Sequence, residues 1–168
     1  MKKIIWLVAS IILSCSFMVK AHSDNHEKTL VNKVLDGFHK AAAIGDGATY
    51  FSLLSDDAIF LGTDASERWS KDEFKKYAMP AFSDGEGWLY TMKERHIEFI
   101  AQGSVAVFDE IVFNEKYGRC RGTGVLEKTK QGWKIKQYNL TFTVPNGVAS
   151  KVIKQIKSYE QQPITKEQ

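Results

Sequence analysis

Polar side chains set inside apolar, alternating stretches are where this sequence could do chemistry. A carboxylate or amide buried without a partner costs on the order of several kcal/mol, so such groups are either paired or face a cavity. Two acids, Asp109 and Glu110, interrupt an otherwise apolar run. A tight turn at Tyr117-Gly118 would bring Arg121 opposite Asn114 and near both acids. An acid beside a fixed guanidinium stays ionised and oriented. That arrangement suits a base removing a proton next to a carbonyl, and it equally suits a structural ion pair. Alternation lets only one of the two acids point inward, and Asp109 is the candidate base. On the last strand Gln137, Asn139 and Thr141 share parity with Trp133 and Ile135, whose bulk assigns them to the inner face. With Asn114, Arg121 and Thr123 they make a candidate ligand-binding set, unless this parity simply meets solvent.

A second group surrounds a strand-to-helix connection. Asp64, Glu67 and Trp69 lie where a rim would be and could close over a ligand. Equally, Asp64 could shape a turn and Trp69 could plug the base of a helix. Tyr77, Trp88 and Tyr90 are cavity walls on one packing and plain core on another. Other chemistries find less support. His96 with Glu94 and Glu98 is the one conceivable ligand set, and three same-face residues along one strand span too far to chelate one ion. No serine stands in a nucleophile elbow and no phosphate loop is present. No metal and no cofactor are therefore expected.

The elements that must position these residues can be read from periodicity. Leu30, Val31, Val34, Leu35, Phe38, Ala41 and Ala42 recur at threes and fours, predicting an amphipathic helix over Glu27 to Ile44 that stops at Gly45. Asp46 caps a short second helix, and a brief strand follows from Ala58 to Leu61. Ser70 and Glu73 have capping-box spacing, predicting a third helix from Lys71 to near Pro80. Beyond Gly85 the period changes to two. Four antiparallel strands are predicted, at Trp88 to Ala101, Ser104 to Asn114, Arg119 to Thr129 and Trp133 to Val144. The apolar face of the first switches near Lys93 to Arg95, which predicts a bulge there. A last helix carries Val148, Val152, Ile153 and Ile156 on one side and lysines on the other. Helices followed by a bent meander give an α+β layout: a cone-shaped, curved antiparallel sheet wrapped around the N-terminal helices.

Lys2 and Lys3, the uncharged run from Ile4 to Met18, and Val19-Lys20-Ala21 read as a secretory signal, residues 1–21, rather than a membrane span. A periplasmic or secreted product is expected, with one domain over 22–160 and a polar tail over 161–168. The alternative is a lipoprotein anchored at Cys15. The precursor has 23 Lys and Arg against 20 Asp and Glu, and three of the lysines leave with the signal, so the mature chain carries no formal excess of charge. That argues against nucleic acid as a partner. Only Cys120 would remain, so no internal disulfide can form.

The stretches FLGTD, ERWSKDEFKKY, GWLY, RHIEF, VAVFDE, YGRCRGTGVLEKT and GWKIKQYNLTFTVPN resemble the SnoaL-like branch of the nuclear-transport-factor-two-like superfamily. They are similar in particular to small exported bacterial members of unassigned role. The resemblance spans Leu35 to Asn146. It implies a cystatin-like roll with a cone-shaped cavity between sheet and helices, and often a homodimer through the outer face of the sheet. Members of that superfamily include isomerases, dehydratases, binding proteins and scaffolds on one shape. Three functions are accordingly expected in competition. The first is binding of a small, partly apolar molecule, the second cofactor-independent isomerisation or dehydration by an acid-base cluster, and the third a non-catalytic dimeric scaffold.

Overall fold

The computed structural model describes residues 24–161. The signal segment, Cys15 and most of the polar tail lie outside them. Helix α1 (24–43) turns Val31, Leu35, Phe38, Ala41 and Ala42 into the core. It ends because Gly45 adopts a left-handed φ of +68°, which lets the Gly45 and Asp46 amides donate back to the carbonyls of Ala42 and Ala41. Asp46 then accepts from the Thr49 amide at 3.0 Å and opens α2 (Gly47–Ser52).

Strand β1 (Leu54–Leu61) and the three-residue β2 (Arg68–Ser70) lead into α3 (Lys71–Ser83). The capping box is formed: the Ser70 hydroxyl accepts from the Glu73 amide, while the Glu73 carboxylate accepts from the Ser70 amide at 2.8 Å. The helix runs past Pro80, where the sequence suggested it would end, because Phe82 in its last turn is buried in the core. Then come β3 (Thr91–Ile100), β4 (Val105–Asn114), β5 (Gly118–Thr129), β6 (Gly132–Phe142) and α4 (Ala149–Glu160). The register irregularity on β3 falls between Met92 and Glu94.

The α+β class stands, but the cone-shaped antiparallel sheet wrapped around the helices must be corrected. The sheet is open and mixed, with six strands in the order β2-β1-β6-β5-β4-β3. β1 runs parallel to β6, and the sheet therefore has two strand edges rather than a closed wall. Each edge is blunted: β2 is only three residues long, and β3 exposes Lys93, Glu94, His96 and Glu98. α1, α2 and α3 pack their apolar sides on one face of this sheet. The core between them is largely aromatic, with Phe38 stacked on Tyr50 at 4.2 Å and Phe60 on Phe74 at 3.8 Å.

α4 is amphipathic as its spacing predicts, yet it buries no residue; Ile153, Ile156 and Tyr159 are all exposed. Among the described residues no helix is long and apolar enough to cross a membrane.

The cap of α3 gives a direct check on this architecture. Replacing Ser70 with Ala removes the hydroxyl that accepts from the Glu73 amide and should lower stability by about 1 kcal/mol in urea unfolding. An unchanged midpoint would mean that the box does not hold the start of α3.

Candidate active site

Glu110 sits on β4 with Ala106, Phe108 and Val112, the residues whose alternation faces the helices. Its side chain is 0% exposed, so its charge must be answered on every side. Arg95, directly opposite on β3, donates from Nε to Oε2 at 2.7 Å. His39 reaches down from α1 and places Nε2 2.7 Å from Oε1. The Tyr138 hydroxyl, from β6, donates to the same Oε1 at 2.9 Å. Gly122 faces Glu110 across the β4–β5 pair; a Cβ there would stand 2.9 Å from Oε1 and collide with the Tyr138 hydroxyl. Arg95 is held in turn by α1, its Nη1 donating to Asn32 Oδ1 at 3.0 Å and to Asp36 Oδ1 at 2.8 Å.

Burial is the largest influence on Glu110 and pushes its pKa up, but His39 and Arg95 together outweigh it and hold the carboxyl below its ordinary 4.5. Glu110 is therefore ionised at neutral pH and can only accept hydrogen bonds, so His39 Nε2 must carry a proton. The other ring nitrogen, Nδ1, has no hydrogen-bond partner among the described residues. Burial first, then the neighbouring Glu110 charge, raises the Tyr138 hydroxyl well above 10, keeping it a neutral donor.

His39 and Tyr138 line a small, partly open pocket of about 20 Å³, together with Phe38, Tyr50 and Trp88. That volume accommodates roughly one water-sized group. The Tyr50 hydroxyl is fully buried and has no hydrogen-bond partner. Burial pushes its pKa well above 10. The Trp88 indole acts the other way, although it makes no hydrogen bond of ordinary geometry to that oxygen. Phe60, Trp88, Tyr90 and Leu140 also form the inner wall of an open groove of about 250 Å³. Gly62, Thr63, Glu67, Trp69, Phe74, Tyr77, Tyr117 and Phe142 make the rest of it. The groove and the small pocket thus adjoin through four shared residues, and the pocket is lined by His39 and by Tyr50, whose hydroxyl has no partner among the described residues.

The sequence-derived candidates divide sharply. Glu67, Trp69, Tyr77, Trp88 and Tyr90 all line the groove. Asp64 instead shapes the loop, its Oδ1 accepting from the Ser66 amide and hydroxyl at 2.8 and 2.6 Å. Asn114 braces the β4–β5 turn by accepting from the amides of Lys116 and Tyr117. The inward assignment of Asp109, Arg121, Thr123, Gln137, Asn139 and Thr141 is corrected. Asp109 is exposed opposite Thr123, Thr123 pairs with Asn139, and Arg121 pairs with Thr141, all on the face away from the helices.

Two causes produce the inversion. On β4 it is Glu110 that turns in, because Arg95 and His39 are there to meet it. On β6 a bulge between Ile135 and Gln137 sets one extra residue into the strand, so Trp133 and Ile135 point inward and then Tyr138 and Leu140 do. Cys120 accordingly faces the interior and Arg121 faces out. The residues the sequence reading passed over are His39, Tyr50, Arg95, Glu110 and Tyr138. The phase of α1 does signal His39, which lies one turn beyond Leu35 on the buried stripe. Among the described residues no cluster of His, Cys, Asp and Glu is disposed to hold a metal ion.

The SnoaL-like domain model matches residues 31–145, and the chain belongs to that family. No curated protein matches the chain in sequence. Solved structures share its fold. One is a provisionally assigned scytalone dehydratase from Novosphingobium aromaticivorans, 14% identical with TM-score 0.62, covering 72% of this chain and 87% of that one. Another is a provisionally assigned dehydratase of the NTF2-like family from Streptomyces avermitilis, 16% identical with TM-score 0.59, covering 72% and 99%. A third is a provisionally assigned ketosteroid isomerase from Shewanella frigidimarina, 24% identical with TM-score 0.54, covering 66% and 94%.

The buried charge makes a stability prediction with a definite sign. Glu110→Gln leaves Arg95 buried beside a neutral amide and should cost about 3–5 kcal/mol at pH 7. Because the folded-state pKa of Glu110 is depressed, its contribution is complete above 4.5 and fades as pH falls through the folded value. Urea unfolding of the wild type and the variant should therefore show a gap at pH 7 that narrows in acid. A gap independent of pH would contradict the ionised assignment.

Proposed function

We propose that this chain is a cofactor-independent acid-base enzyme of the dehydratase or isomerase kind. Its substrate is a small, partly apolar molecule entering through the aromatic groove. The observation that carries this reading is the pairing, in the lining of one small pocket, of a histidine held by a buried carboxylate with a hydroxyl that has no partner among the described residues.

In this reading Glu110 fixes the ring and tautomer of His39, leaving Nδ1 to take a proton from the substrate carbon. Tyr50 donates to the substrate oxygen on which negative charge develops, or to a hydroxyl as it leaves. Tyr138 and Arg95 act on Glu110 rather than on substrate. The aromatic walls keep water away from the base and so strengthen each of these interactions. The assignments of the dehydratase and isomerase neighbours on the same fold support the choice of reaction class. Export by the signal read in residues 1–21 and pairing of two copies through the outer face of the sheet form part of the same proposal, though the chemistry needs neither.

A generic probe tests the base without knowledge of the substrate. 5-Nitrobenzisoxazole opens when a base removes its ring C–H proton and the N–O bond breaks, giving a nitrile and a phenolate. The wild type should accelerate this opening, and His39→Gln, which can still donate to Glu110 but has no basic nitrogen, should lose about a hundredfold. Tyr50→Phe should lose at least about tenfold through the developing phenolate. Equal rates for the wild type and His39→Gln, with both proteins folded, would leave a binding domain without this chemistry.

A further inference from the structure

The groove has a feature that the acid-base reading does not use. Of the residues that line it, Glu67 is the one with an acidic or basic side chain of the Asp, Glu, Lys, Arg or His kind, and the walls around it are mostly aromatic. Tyr90 stays a neutral phenol, burial above all pushing its pKa up to about 12. Glu67 Oε2 accepts from the Asp64 amide at 3.0 Å, and the side chain lies against Gly62, where a Cβ would collide with it. No Lys, Arg or His among the described residues forms an ion pair with it. Carboxylates elsewhere on the surface do find lysines: Asp56 pairs with Lys71, Asp57 with Lys136 and Glu27 with Lys128. Glu67 is thus a half-buried carboxylate held by the loop, sharing the groove with aromatic rings and making no ion pair among the described residues.

We infer that the groove selects molecules bearing a cationic nitrogen, a protonated amine or a quaternary ammonium, on an apolar body. Glu67 supplies the counter-charge, and the rings of Trp69 and Tyr77, stacked at 5.0 Å, supply the π-faces and edges around it. An anionic ligand would meet Glu67 with no cationic side chain among the residues that line the groove, and a neutral one would leave its charge unanswered. The rim already hosts such a contact within the chain, since the Lys116 ammonium rests 5.1 Å from the ring centroid of Tyr117, a groove residue. This inference names the substrate class for the proposed site and rests on the groove being the route to His39.

The test compares benzyltrimethylammonium with its neutral carbon isostere neopentylbenzene, following tryptophan fluorescence, which Trp69 and Trp88 in the groove should report. The wild type should bind the cation at least about tenfold more tightly than the isostere, with the difference shrinking as salt is raised. Glu67→Gln keeps an oxygen for the Asp64 amide and should reduce the preference to about threefold or less without shifting the melting temperature. Tyr77→Ala, at an exposed position, should weaken the cation alone. Equal affinity for the two probes, preference retained in Glu67→Gln, or no saturable binding of the cation at millimolar concentration would each overturn the inference. His39→Gln separates the two readings, because it should bind the cation like the wild type. Cation selectivity without any effect of His39 on benzisoxazole opening would sink the catalytic reading and leave this one standing, and the reverse result would do the opposite.

Discussion

Burying the charge of Glu110 is the constraint on which the site depends. A lone carboxylate could not sit in this core; it remains ionised because three donors from three separate elements converge on it. That convergence fixes more than one side chain. It ties the end of α1 to the middle of β4, sets β3 in register so that Arg95 faces Glu110, and requires β6 to deliver Tyr138 rather than Gln137. It also explains why glycine occupies position 122, where even a methyl group would press on both Glu110 and Tyr138. The catalytic geometry proposed for His39 is then a by-product of the same interaction that makes the core tolerable. The ring cannot turn without breaking the shortest contact to Glu110.

Around this polar knot the structure arranges a gradient. Solvent gives way to an aromatic groove, then to a cavity holding little more than one polar atom. A ligand moving inward would shed water against rings before meeting a group able to hydrogen-bond. Each hydrogen bond made at the bottom would therefore form in a low-dielectric setting, where it is stronger than in water. The outer end differs, since Glu67 lies where solvent can still reach, so a charge on the ligand could be matched there without complete dehydration. Polar recognition at two ends separated by rings favours a ligand of defined length and orientation.

Local signals in the sequence specify local structure well. Ser70 with Glu73 marks the start of α3, Gly45 marks the end of α1, and the stripe through Val31, Leu35 and Phe38 is the buried side of its helix. The groove walls were legible too, because Trp69, Tyr77, Trp88 and Tyr90 are large, clustered and next to a loop. What local pattern cannot resolve is β4, where Val105, Val107, Ile111 and Phe113 are apolar on one parity while Ala106, Phe108 and Val112 are apolar on the other. Choosing between Asp109 and Glu110 needs knowledge of Arg95 and His39, which are distant in sequence. The β6 bulge is a subtler case. Apolar residues there change from odd to even positions between Ile135 and Tyr138, a visible sign of an inserted residue, and reading one parity through it sends Gln137, Asn139 and Thr141 to the wrong face. The open, mixed sheet was beyond reach for the same kind of reason, because β1 joins β6 in parallel across most of the chain.

Among the described residues two buried side-chain polar atoms lack partners, the Tyr50 hydroxyl and Arg95 Nη2, and they call for different explanations. Arg95 already makes three hydrogen bonds with its other nitrogens, so three of its five N–H donors are used and only the two on Nη2 are idle. Tyr50 makes none. A phenylalanine would keep its stacking on Phe38 and its burial while avoiding the cost of an unsatisfied hydroxyl, on the order of 1–3 kcal/mol. Stability alone therefore gives no reason for the oxygen. Its position in the wall it shares with His39 supplies one in the proposed reading: an oxygen of a substrate entering the pocket would find a hydrogen-bond donor there.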